Sequence, residues 1–241
     1  MNFYSLLSAY YSLVFPLPQT TKQFLQKQFP NQRLRALDIG CGIGDTGNFL
    51  AESFQYVQGI DVSESMVELA KHRKVINSDY DVVDMRDLAL FARPQTYDFV
   101  TCMGNTLVHV PQDEVLKVLV NVREILQLGG RFVIQILNYD RILDQKITEL
   151  PLINHPEVEF KRSYPLENLS EHSVMFVSDI TDKKTKQKYT SSTTLFPIRK
   201  EKLLQLVEEA GLEVDGVYGS FDMQTTQIQS FALILTGSRL K

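Results

Sequence analysis

LDIGCGIGDTG, residues 37–47, is the stretch on which the fold turns. An apolar run, Leu34–Ile39, leads directly into a cluster of glycines, and a helix-compatible segment over roughly 45–53 leads out. That is the pattern of a buried strand entering a helix through a tight turn. Gly40, Gly42 and Gly44 let the backbone turn sharply and let a ligand approach without meeting a Cβ. In an open α/β sheet such a turn lies at the carboxyl ends of the strands, where ligands bind.

Downstream the alternation continues. Tyr56–Ile60 reads as a second strand, and Ser63 is placed to cap a helix over 64–73, with Glu64 in its first turn. Tyr80–Val83 and Tyr97–Cys102 read as strands three and four. Over 112–127, Val115, Val118, Leu119, Val122, Ile125 and Leu126 share one helical face, and Gly129 and Gly130 are expected to end that helix. Arg131–Leu137 reads as the fifth strand. Strands alternating with helices predict a doubly wound, mostly parallel sheet.

The pattern changes near residue 150. Residues 157–165, 172–181 and 187–196 read as three antiparallel strands, and the basic run at Lys183, Lys184 and Lys186 as a solvated hairpin tip. A helix over 199–210 follows, ended by Gly211, then strands 212–219 and 228–236. These two are too close for a crossover helix, so they must pair antiparallel. Upstream, residues 2–15 and 19–28 read as two short helices, closed by Pro16 and Pro30. The whole is expected to be a single domain over 1–241, with 1–30 as an N-terminal helical cap and 151–197 as inserted antiparallel strands over the pocket.

The bulk numbers suit a globular α/β protein: 241 residues, 44% hydrophobic, 22% charged, net charge −4. There is no basic stripe of the kind nucleic-acid binding needs. No run approaches a membrane span, and the aromatic N-terminus lacks the parts of a signal peptide. Cys41 and Cys102 make no disulfide framework and read as reduced and buried, which suits a cytoplasmic location. The four histidines have no metal-ligand spacing, so no metal is expected. The expected partner is a small molecule, not nucleic acid or a membrane. An oligomer is compatible with the sequence, which does not set the oligomeric state.

Two ligands compete for the glycine turn. Gly42, Gly44 and Gly47 satisfy GxGxxG, and Asp61 ends the second strand as a dinucleotide ribose would require. Asp38 argues the other way. A carboxylate about 5 Å from a pyrophosphate would repel each negative charge by roughly 3 kcal/mol at an effective dielectric near 20. S-adenosylmethionine instead brings a sulfonium and an ammonium, which Asp38 would attract. Asp61 can then accept both ribose hydroxyls, Val62 and Met66 can flank an adenine, and Asp84 with Met85 can meet its amino edge. Each acid taken alone reads as a helix cap or turn residue; three at successive strand ends are harder to set aside.

DxGxGxG at the first strand, with acids ending the second and third, resembles the class I S-adenosylmethionine-dependent methyltransferases. The resemblance covers nearly the whole chain, including the final antiparallel strands. It implies seven strands in the order 3-2-1-4-5-7-6 with the last antiparallel, an inserted antiparallel β subdomain, and S-adenosyl-L-methionine as cofactor. The expected cofactor-binding set is Asp38, Gly40, Cys41, Gly42, Gly44, Asp61, Val62, Met66, Asp84, Met85, Cys102 and Met103. Locally, CMGNTLVHV and GGRFVIQILNYDRIL resemble glycine N-methyltransferase-like enzymes, which puts Asn105 and Tyr139 beside a substrate. Those enzymes carry an Arg before Asn-Tyr-Asp; this chain has Leu137, so glycine is not carried over as substrate. YSLLSAYYSLVFP resembles the tyrosine-rich first helix of small-molecule methyltransferases, with Ser5 and Ser12 in place of acids. Tyr11, together with Tyr4, would close over the site.

The resulting expectation is a methyltransferase moving a methyl group to N or O of a small acceptor, largely by positioning. Tyr11, Asn105, His109 and Tyr139 are the catalytic candidates. His109 is the one candidate base for a hydroxyl acceptor, although its apolar surroundings also suit a structural histidine. Two alternatives stay open: an NAD(P)-dependent oxidoreductase using Gly42–Gly47, and a cofactor-binding protein without chemistry.

Overall fold

A computed structural model describes residues 3–240; the side chains of residues 3–6 and 8, Tyr4 among them, lie outside the description. Helices α1 (Phe3–Val14) and α2 (Gln19–Gln28) precede the alternating region. Then come β1 (Arg35–Ile39), α3 (Asp45–Leu50), β2 (Tyr56–Asp61), α4 (Glu64–Arg73), β3 (Ser78–Val82), α5 (Leu88–Phe91), β4 (Tyr97–Cys102), α6 (Gln112–Ile125), β5 (Leu126–Leu137) and α7 (Tyr139–Asp144). The second half holds β6 (Ile153–Asn154), β7 (Val158–Ser163), β8 (Val174–Asp182), β9 (Lys188–Leu195), α8 (Lys200–Glu209), β10 (Glu213–Tyr218) and β11 (Ala232–Ser238).

Seven strands form one sheet in the order β10-β11-β5-β4-β1-β2-β3. In order of appearance in this sheet that is 3-2-1-4-5-7-6, and β11 runs antiparallel to both neighbours, β5 and β10. Alternation along the strands feeds two cores. Leu37, Val100, Phe132 and Ile134 face the stripe of α6 and the inner side of α8. Ala36, Val57, Phe99 and Val133 face α2 and α3 with Phe24 and Phe49, and Phe29, Phe54 and Phe99 pack edge to face or stacked. Apolar burial on both faces is what lets parallel strands read as continuous hydrophobic runs.

A second sheet, β6-β7-β8-β9, is wholly antiparallel. It has four strands where three were expected; the two-residue β6 pairs with β7 and is too short to leave a periodic signal. The lysine run lies at the β8–β9 hairpin tip, held by Asp182 accepting from the Lys184 and Thr185 N–H groups, both at 2.8 Å. Helix α1 packs on β7, β8 and β9 and also against α4, a helix that covers β2 and β3, so it ties the second sheet to the helix layer of the first. Its apolar side joins Val158, Phe160 and Ile180.

Two further expectations give way to tertiary contacts. The helix over 112–127 stops at Ile125, and the glycines do not end it: Leu126 is already extended, fully buried and paired with Tyr97. Burial of Leu126 in the sheet outweighs its helix propensity. Ser63 stands at the start of α4 without a side-chain cap; its N–H instead donates to Asp61 Oδ1 at 2.9 Å. Among the described residues no helix is long and apolar enough to cross a membrane.

Candidate functional site

A cavity of about 690 Å³ opens at the carboxyl ends of β1 and β4, lined by Tyr11, Phe15, Asp38, Cys41, Met103 and Phe221 among others. Asp38 is its chemical centre. The residue is 3% exposed; Oδ1 accepts from the Thr101 hydroxyl at 2.7 Å, and Oδ2 is buried with no hydrogen-bond donor. Burial pushes the carboxyl up to about 7, the Asp61 charge adds to the rise, and the Thr101 hydroxyl and the Gly47 backbone only partly offset it. A buried acceptor lacking a donor is an expensive arrangement. A cationic ligand group in the cavity would relieve it.

The turn divides into two halves with different tasks. Gly40, with φ of +72°, lines the cavity, and a Cβ there would strike Thr106 at 2.3 Å. Gly42 is covered by Tyr11, whose hydroxyl would lie 3.0 Å from a Cβ at that position. Gly44, with φ of +85°, faces away: a Cβ would meet Tyr80 at 2.8 Å, and one on Gly47 would meet the Tyr80 hydroxyl at 2.7 Å. That hydroxyl donates to Gly44 O at 3.0 Å. Gly44, expected to face a ligand, therefore makes room for a tyrosine. Four N–H groups of the turn are engaged: Gly40 and Cys41 donate to Ile60 O, Gly42 to Asp61 Oδ2 and Gly44 to Cys41 O. A pyrophosphate needs such groups unpaired, which counts against the GxGxxG dinucleotide reading.

The other acids differ in state. Asp61 clamps the turn, accepting from Gly42 and Ser63 at 2.9 Å each, and stays partly exposed. Val62 beside it is 70% exposed. Asp84 accepts from the Arg86 N–H and pairs with its guanidinium at 2.6 Å, which holds the carboxyl below the usual range. Met85 is half-buried next to it. Met66, expected to flank the adenine, is buried with Ile43 and Val14 beneath α1. Cys41 and Cys102 are buried free thiols; burial raises both, Cys102 to about 12.

The catalytic candidates do not form one cluster. Tyr11 lines the cavity; burial raises its pKa, with Asp61, Asp45 and Asp38 adding to the rise, so the phenol is protonated. Asn105 accepts from the Leu137 N–H at 2.9 Å and donates to the Tyr139 hydroxyl at 3.1 Å, joining the end of β5 to the exit of β4. Tyr139 is fully buried and pushed up to about 12, first by burial. Neither Asn105 nor Tyr139 lines the cavity. His109 is exposed, yet the protein around its ring lowers its pKa, against the pull of Asp61.

Two participants escaped the sequence reading. Thr101 holds Asp38, and Gln135 accepts from the Gly104 N–H at 2.8 Å while lining the cavity. Both are polar residues in otherwise apolar strands, and that mismatch was the available signal. Among the described residues no group of three or more His, Cys, Asp or Glu could hold a metal.

Residues 36–130 match the family described as a methyltransferase domain. The chain is similar to the ubiquinone biosynthesis O-methyltransferase of Coxiella burnetii, 27% identical over 170 residues, covering 66% of this chain and 70% of the relative. In structure it resembles an S-adenosylmethionine-dependent methyltransferase from Clostridium acetobutylicum, with a TM-score of 0.81 at 14% identity over 98% of this chain and 99% of that one. It also resembles an amino pentose methyltransferase from Micromonospora echinaspora with S-adenosylmethionine bound, with a TM-score of 0.71 at 19% identity, covering 99% and 98% of the two chains.

Proposed function

We propose that this chain, which is a class I S-adenosylmethionine-dependent methyltransferase, transfers the methyl group to a nitrogen or oxygen of a small-molecule acceptor. The observation that carries the reading is Asp38: a buried carboxylate with one oxygen lacking a donor, at the wall of a 690 Å³ cavity. Its chemistry fits the cationic end of the cofactor. The cavity volume is in the range of small-ligand sites, and a net charge of −4 without a basic stripe argues against a nucleic-acid acceptor.

In this reading Asp38 holds the cofactor's ammonium, and Gly40, Cys41 and Gly42 provide close backbone approach. Asp61 keeps lone pairs for the ribose hydroxyls beside the two N–H groups it already binds. Exposed Val62 and half-buried Met85 flank the adenine, and Asp84 meets its edge while held by Arg86. Met103 and the Cys102 strand end complete the wall. When bound, the cofactor supplies a methyl group already activated on a sulfonium. The protein's work is therefore to align the acceptor and exclude water.

Tyr11, protonated and covering Gly42, is the donor from the α1 side. Asn105 and Tyr139 act by positioning the β4 and β5 exits. His109, whose lowered pKa keeps it neutral, is the available base for a hydroxyl acceptor. An amine acceptor needs no base, so N and O both fit. The relative named for ubiquinone biosynthesis is an O-methyltransferase, and the amino pentose enzyme takes an amino sugar. Residues 1–30 as a cap over the pocket are supported by Tyr11 and Phe15 at the cavity wall; residues 151–197 would act on it through α1, which packs on the second sheet. Two buried free thiols support a cytoplasmic setting.

The test is calorimetric titration with S-adenosylhomocysteine, followed by a metabolite screen read as S-adenosylhomocysteine release. Saturable binding and turnover with a small amine, phenol or sugar are expected. Cofactor binding with no transfer to any metabolite, but transfer to RNA, would overturn the reading.

A further inference from the structure

On the face of the large sheet that meets α2 and α3, three neighbouring strands each carry a polar side chain two residues beyond a buried apolar one: Asp38 after Ala36, Thr101 after Phe99 and Gln135 after Val133. Asp38 and Thr101 are register partners and bond to each other, so each accounts for the other. Gln135 stands two strands from Asp38, on the order of 10 Å away. It is 8% exposed and lies at the cavity wall. A polar side chain buried this deeply in a strand ordinarily has its groups engaged.

The Gln135 carboxamide is engaged at one end only. Its Oε1 accepts from the Gly104 N–H at 2.8 Å. That bond fixes the orientation, because only the amide oxygen can face a backbone N–H. Nε2 is thereby turned away from Gly104. It has no hydrogen-bond partner among the described residues, and it is not sealed within the protein. Two N–H donors are thus held at the wall of the cavity by a side chain that cannot flip without losing Gly104.

The surroundings say what those donors would meet. The β10–β11 connection supplies Phe221, Asp222 and Phe231 to the same cavity. Phe221 is half-buried, its ring centre 5.5 Å from that of Phe24, and Phe231 is 42% exposed. Asn138 ties this connection to the exit of β5. Its N–H donates to Phe231 O at 3.1 Å, and its side-chain amide donates to Gln227 O, Ile228 O and Ser230 O at 3.2, 3.2 and 3.1 Å. Among the described residues the cavity lining holds three acids, Asp38, Asp45 and Asp222, and no lysine, arginine or histidine. Arg73 pairs with Asp45 at 2.6 Å. Asp222 accepts from the neutral Ser220 and Gln224 side chains, and the Ser220 hydroxyl holds it below the usual carboxylate range, so it stays ionised. An anion entering here would meet like charge and no cation.

We propose that Gln135 is a specificity residue for the methyl acceptor: its Nε2 donates to a lone pair of an uncharged acceptor whose apolar ring lies along Phe221 and Phe231. The lone pair belongs to a hydroxyl or carbonyl oxygen or to a neutral amine nitrogen. A site built around a fixed donor rejects a ligand that lacks the lone pair. This rests on the small-molecule reading above and narrows it: acidic acceptors are turned away, and the cofactor's cationic end is left to Asp38.

In the experiment, full-length protein saturated with S-adenosylhomocysteine is titrated near neutral pH with 2-naphthol, 2-naphthoate and 2-methylnaphthalene, read by the fluorescence of the naphthyl group. 2-Naphthol is expected to bind roughly fivefold or more tighter than 2-methylnaphthalene, the scale of one net hydrogen bond, and tighter than 2-naphthoate by at least as much. Gln135→Glu keeps an oxygen for Gly104 and removes the donors; it is expected to erase the preference for naphthol. Gln135→Met, of similar length but with neither donor nor charge, is expected to do the same. Phe231→Ala is expected to weaken naphthol and methylnaphthalene alike. If Gln135→Met does not fold, Gln135→Glu carries the comparison. The proposal is overturned if naphthoate or methylnaphthalene binds as tightly as naphthol, if no probe binds, or if a folded Gln135 variant keeps the preference. It is also overturned if Gln135→Met loses as much affinity for S-adenosylhomocysteine as for naphthol, the mark of a merely structural role. Failure of the methyltransferase site itself has a different signature: no heat from S-adenosylhomocysteine at all, and this assignment falls with it.

Discussion

Two buried acids, one on each sheet, are satisfied to different degrees. In the large sheet, Asp38 Oδ2 is buried at the cavity wall and makes no hydrogen bond. In the second sheet, Asp182 accepts from the Lys184 and Thr185 N–H groups and from the Tyr10 hydroxyl. The second arrangement supports a hairpin; the first costs stability unless a ligand relieves it.

The contrast can be tested by removing one partner at a time. Asp38→Asn should have the largest effect: S-adenosylhomocysteine affinity falling roughly a hundredfold, as expected for a buried charge-assisted contact, while the unliganded protein becomes about 1 kcal/mol or more stable at pH 8 because no carboxylate need ionise in the core. Calorimetry and urea unfolding give the two signs; unchanged affinity would break the comparison. Gly47→Ala tests the turn apart from its charge. Its Cβ would meet the Tyr80 hydroxyl at 2.7 Å, and a loss of about 1–3 kcal/mol in urea unfolding is expected from overpacking.

A third effect follows from protonation. Asp38 is raised from 3.8 to about 7. Its contribution to stability is therefore present below pH 3.8 and is lost as pH rises through 7. A cationic ligand prefers the ionised form. S-adenosylhomocysteine affinity should thus drop by up to about tenfold per pH unit below 7, and Asp38→Asn should flatten that slope. The smallest expected change is Tyr164→Phe, which removes a buried hydroxyl beside that of Tyr139. A loss of about 1 kcal/mol in thermal unfolding is expected; no loss would mean that the two hydroxyls do not support each other.

Much of the large sheet was readable because its signals are local. Apolar runs, helix periodicity and glycine turns predicted the strands and their alternation with helices, the resemblance to the methyltransferases supplied the strand order, and the sign of the charge at Asp38 separated two cofactors that the glycines could not. The rest depends on side-chain geometry and on partners. An acid at a strand end does not announce that Arg86, two residues on, will fold back onto it. Met66, expected to flank an adenine, lies beneath α1. The end of α6 was misplaced because Leu126 is claimed by pairing with Tyr97.

Tyr80 has a consequence for how such chains can diverge. Its side chain occupies the space that a Cβ would need at Gly44, Gly47 and Gly59, at 2.8, 2.7 and 2.4 Å. Those glycines are a packing quartet with one tyrosine, spread over β2, β3, the turn and α3. Substitution at position 47 or 59 is therefore open only to a lineage that has first traded the residue at 80 for a smaller one. A count of glycines taken as a measure of ligand contact across relatives would then be tracking the history of a buried ring.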